Sequence, residues 1–129
     1  MYMRVTCQTF VMMTLALGSI VWAVRMPKSI NNDKDLKSAL KAARTPEDHD
    51  RIAIYCNAKA DRLDAEAGAY DRAAEAYRNG PVVKNLTAPN TAARYEGIAK
   101  GLRAEAQANR ELAASQDQIA TTFASRASQ

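Results

Sequence analysis

Residues 58–76 read AKADRLDAEAGAYDRAAEA, and eight of these nineteen positions are alanine. The alanines are placed rather than strewn. In steps of seven they give Ala53, Ala60, Ala67 and Ala74, and the same step further on gives Ala92, Ala99, Ala106, Ala113 and Ala120. Between them fall His49, Cys56, Leu63, Tyr70 and Tyr77 in the first series, and Tyr95, Leu102, Asn109, Gln116 and Phe123 in the second. Alternating steps of three and four are the seam of a left-handed coiled coil. One seam position is always alanine and the other is larger.

Folding the second helix back on the first gives each large residue an alanine to face. Leu63 meets Ala106, Tyr70 meets Ala99, Cys56 meets Ala113 and His49 meets Ala120, while Leu102 meets Ala67 and Tyr95 meets Ala74. Small against large lets the axes come to the near end of the usual 8–10 Å. The two helices also form a weak internal repeat at an offset of 46, with Ile52-Ala53 matching Ile98-Ala99 and Asp71 matching Asp117.

Helix ends follow from local chemistry. Thr45-Pro46-Glu47-Asp48 supplies an N-cap, a proline at the first helical position and negative charge at the positive end of the dipole. Asn79-Gly80-Pro81 is a stop, with glycine expected in the left-handed conformation. The first long helix is thus expected over 46–79. A connector follows over 80–90, and a second helix over 91–124, capped by Asn90. Residues 125–129 are a frayed tail. Upstream, Leu36, Ala39, Leu40 and Ala43 predict a short amphipathic helix capped by Asn32.

The first 24 residues are of another kind. Arg4 precedes the apolar stretch Phe10–Val24, and Val21-Trp22-Ala23 offers a cleavage site after Ala23. This predicts a signal peptide over 1–23 and an exported protein, periplasmic or extracellular. The alternative is an uncleaved membrane anchor, since Val5–Val24 carries no charge and can just span a bilayer. Residues 24–44 form a basic arm. Arg25, Lys28, Lys34, Lys37, Lys41 and Arg44 stand against Asp33 and Asp35, whereas the chain from Thr45 onward is nearly balanced. A net charge of +4 over 129 residues does not call for nucleic acid.

Chemistry-bearing motifs are sparse. His49 and Cys56 share a face but lie about 10.5 Å apart along the axis, too far to hold one zinc ion. His49 is the weak metal candidate, with Glu47, Asp48 and Asp50 nearby. Cys56 has no histidine beside it to activate the thiol. It reads either as a buried small hydrophobe or as an intermolecular disulfide. No catalytic residue, cofactor or enzyme activity is expected. Asn109 and Gln116 are polar seam residues that set register.

An alanine seam buries little, because a methyl contributes roughly 0.8 kcal/mol against 1.5–3 for a leucine. Ile52, Ile54, Tyr55, Ile98, Leu112 and Ile119 widen the apolar surface and are the candidate interface. Either the short helix or a second copy of the hairpin covers it, the latter giving a four-helix bundle.

The run Thr45-Pro46-Glu47-Asp48-His49-Asp50-Arg51-Ile52-Ala53, with the two alanine- and charge-rich helices over about 33–120, resembles a group of small exported bacterial helical hairpins. The resemblance implies a fold and an exported location and no activity. Members of that group carry more histidine along these helices, where Tyr70, Tyr95 and Gln116 stand here.

The expectation is an all-α protein, an antiparallel two-helix hairpin preceded by a short helix. Its expected role is that of an exported structural or interaction module that self-associates or docks on a protein partner. The alternative is a periplasmic metal- or stress-responsive binding protein.

Overall fold

Three helices form in a computed structural model that describes residues 29–80 and 88–129. They are α1 (Asp33–Ala42), α2 (Pro46–Asn79) and α3 (Ala88–Ala127). The expected signal peptide or anchor, the start of the basic arm and most of the connector lie outside the described residues. The fold is all-helical, and α2 and α3 pack along each other as a hairpin.

Each start has a local cause. At α1 the Asn32 side chain accepts the Asp35 N–H at 2.9 Å. At α2, Thr45 and Asp48 make a reciprocal capping box. The Thr45 Oγ1 accepts the Asp48 N–H at 3.2 Å, and Asp48 Oδ2 accepts the N–H groups of Thr45 and Arg44 at 3.1 and 3.0 Å. Two ends depart from expectation. Gly80 closes α2 with φ −74° and ψ 151°, which is extended and not left-handed. Glycine is needed there for another reason, since a Cβ would lie 2.4 Å from the Ala76 carbonyl oxygen. Helix α3 begins at Ala88, ahead of the expected Asn90 cap, and ends at Ala127. Pro89 stands in its first turn, where a missing N–H costs no helical hydrogen bond.

The 34 residues of α2 and 40 of α3 make rods of about 51 and 60 Å at 1.5 Å per residue. All nine heptad alanines are buried between them. The larger seam residues behave differently along the rods. Leu63, Tyr70, Tyr95 and Leu102 are half-buried, and Tyr77 is exposed. A two-helix seam covers only one side of such side chains. Near the start of α2 the pattern changes, because α1 doubles back there. Leu36, Ala43, Ile52, Ala53, Cys56 and Ala113 form one cluster, with Ile30, Ala39, Leu40, Tyr55 and Leu112 packed around it.

Candidate functional site

The hairpin has two unlike edges. Along one, charges of α2 and α3 meet in a ladder at heptad steps. Arg78 pairs with Glu96, Arg103 with Asp71, and Arg110 with Asp64 at 2.6 Å and Asp61 at 3.2 Å. The other edge carries Ile52, Lys59, Ile98, Leu112 and Ile119, and α1 lies on part of it. Heptad spacing could have shown the ladder, since Asp64, Asp71, Arg78 and Glu96, Arg103, Arg110 are themselves seven apart.

Lys59 joins all three helices. Its Nζ contacts Asp33 Oδ1 of α1 at 2.9 Å and Glu105 Oε1 of α3 at 3.0 Å. The side chain is only 17% exposed. The Lys59 hydrogen bond holds the Asp33 carboxyl below its usual range, and Asp33 in turn raises the Lys59 ammonium. This pair ties the first residue of α1 to the hairpin.

The structure divides the expected interface residues. Ile52 is fully buried in the cluster beneath α1, the short-helix cover that was one of the two expected. Leu112 packs against the same cluster. Cys56, the candidate for an intermolecular disulfide, is also fully buried and its thiol is free. Burial pushes the thiol pKa up. A sulfur with no exposed surface cannot meet another chain while α1 is in place. Ile98 and Ile119 are half-buried, the latter beside Phe123 at the far end of the hairpin.

Ile54 lies apart from that cluster, and Tyr55 packs against it from the other side. They face an open groove of about 590 Å³ between α1 and α2. Ile30, Ala39 and Ala42 line one wall, Ile54, Tyr55 and Ala58 the other, and Asp35, Asp48 and Arg51 sit at its rim. Ile54 is 68% exposed, the most exposed of the large hydrophobic side chains among the described residues.

His49 has a structural place. Its Nδ1 is 2.7 Å from Gln116 Oε1, and its ring stacks on Phe123 at 5.7 Å and 15°. Gln116 thus acts across the seam. Asn109 instead donates to the Glu105 carbonyl of its own helix at 2.9 Å. Among the described residues no three His, Cys, Asp or Glu side chains converge to hold a metal ion. No described helix is long and apolar enough to cross a membrane. Comparison with protein-family models, with curated proteins and with solved structures gives no match.

Proposed function

We propose that this chain is an exported structural and interaction module that associates through the groove between α1 and α2, with a second copy of itself as the occupant. The observation that carries the reading is Ile54, a large apolar side chain left largely in water beside an alanine-lined recess. A protruding isoleucine beside a groove lined by Ala39, Ala42 and Ala58 has both halves of a small-against-large contact on one surface. A two-fold interface uses the same patch on both copies. The sequence of residues 1–24 supports the exported location.

Light scattering over a range of protein concentrations tests the reading. The expected result is a dimer for the natural chain and a monomer for Ile54→Glu with unchanged helical content, because position 54 is exposed. A natural chain that stays monomeric throughout, or an Ile54→Glu chain of the same mass as the natural one, would overturn it.

A further inference from the structure

We infer that α1 is an openable latch, which leaves the hairpin as a unit and uncovers Cys56 and the Ile52–Leu112 strip while α2 and α3 stay paired. The inference goes beyond the association proposed above.

The hairpin supplies its own control. Cys56 holds the same seam position as Leu63, Tyr70 and Tyr77. Those three are half-buried or exposed where α2 and α3 alone surround them, whereas Cys56 is fully buried. Ile52 is likewise fully buried, while Ile98 and Ile119 on the same edge are half-buried. The extra burial at Cys56 and Ile52 is therefore the work of α1, whose Leu36 and Ala43 belong to their cluster.

What holds α1 is slight. It has ten residues, below the length at which a helix persists alone in water. It buries Leu36 to 8% exposure and Ala39 and Leu40 in part, and its N-terminal end is tied by the Asp33–Lys59 pair. The hairpin keeps every seam alanine and the whole ion-pair ladder on the far edge when α1 departs. Elements with few apolar contacts open locally at a lower free energy than the global transition. Opening also removes one wall of the groove, so a copy seated there holds the latch shut.

The test is the rate at which Ellman's reagent modifies Cys56 in the full chain carrying Cys7→Ser, at fixed pH and over low urea concentrations. The expected result is modification through an opening whose urea dependence is well below that of global unfolding. Leu36→Ala is expected to speed modification by at least about tenfold, and the surface variant Asp33→Asn by a few-fold at most. Arg103→Ala, on the opposite edge, should leave the rate unchanged. Two results would overturn the latch: a urea dependence equal to that of global unfolding, or natural rates in both Leu36→Ala and Asp33→Asn. Slower modification at high protein concentration supports the groove as the dimer contact. A concentration-independent rate counts against that contact and leaves the latch standing.

Discussion

Tyr95 of α3 stands between Tyr70 and Tyr77 of α2, with ring centroids 5.7 and 5.5 Å away. Those two tyrosines are one heptad apart, so Tyr95 sits level with Ala74. At the other end His49 of α2 stands between Gln116 and Phe123 of α3, again one heptad apart, level with Ala120. The two brackets hold the same register at both ends of the hairpin. The ion-pair ladder and the pairing of Ile52 with Leu112 on the opposite edge follow from it.

The His49–Gln116 contact should be measurable as a coupling. Gln116→Leu removes the acceptor of a part-buried ring nitrogen and should cost about 1 kcal/mol. Adding His49→Leu should recover part of that, giving a coupling of at least about 0.5 kcal/mol in a double-mutant cycle. Urea unfolding of the four proteins measures it. Strictly additive effects would mean that the two side chains do not meet in solution.

The start of α2 should be sensitive to its cap. Thr45→Ala should cost about 1 kcal/mol. The N–H of Arg44, followed by the backbone and hydroxyl of Thr45, holds the Asp48 carboxyl below its usual range. A carboxylate lowered in the folded state stabilises it above the unfolded pKa, near 3.9. That contribution fades as pH falls through the lower folded value. The natural chain should therefore lose stability more steeply below about pH 4 than Asp48→Asn does. Parallel acid unfolding curves would contradict this role.

The ion-pair ladder should contribute little singly. Arg103 and its partner Asp71 are both well exposed, so Arg103→Ala should cost less than about 1 kcal/mol. The loss should shrink further in 1 M salt, where screening acts within about 3 Å. Thermal melts of both proteins at low and high salt give the answer. A larger loss that salt leaves intact would mean that the arginine stem packs on the seam.

Much of this architecture can be read in the chain before it is folded. The heptad alanines are legible because a period of seven admits one geometry, and all nine are buried. The cap at Thr45 is legible because it is local. What is not legible is where α1 goes. Periodicity marks Ile52 as apolar and near the seam, but only the path of the chain through Arg44 decides that α1 covers it. Ile54 follows two positions later and escapes cover, and the sequence does not distinguish the two. Gly80 shows a similar limit. Its identity signals a stop, yet the cause is close approach to the Ala76 carbonyl and not the handedness of its backbone.

The most direct test of the account is the thermal melting of four single variants. Ala60 and Ala106 lie fully buried on the seam, whereas Ala65 and Ala104 are exposed. Ala60→Leu and Ala106→Leu should each overpack the interface by about 1–3 kcal/mol and lower the midpoint by at least about 4 °C. Ala65→Leu and Ala104→Leu should melt within about 2 °C of the natural chain, since surface changes fall within about 0.5 kcal/mol. Equal midpoints in all four would contradict the register.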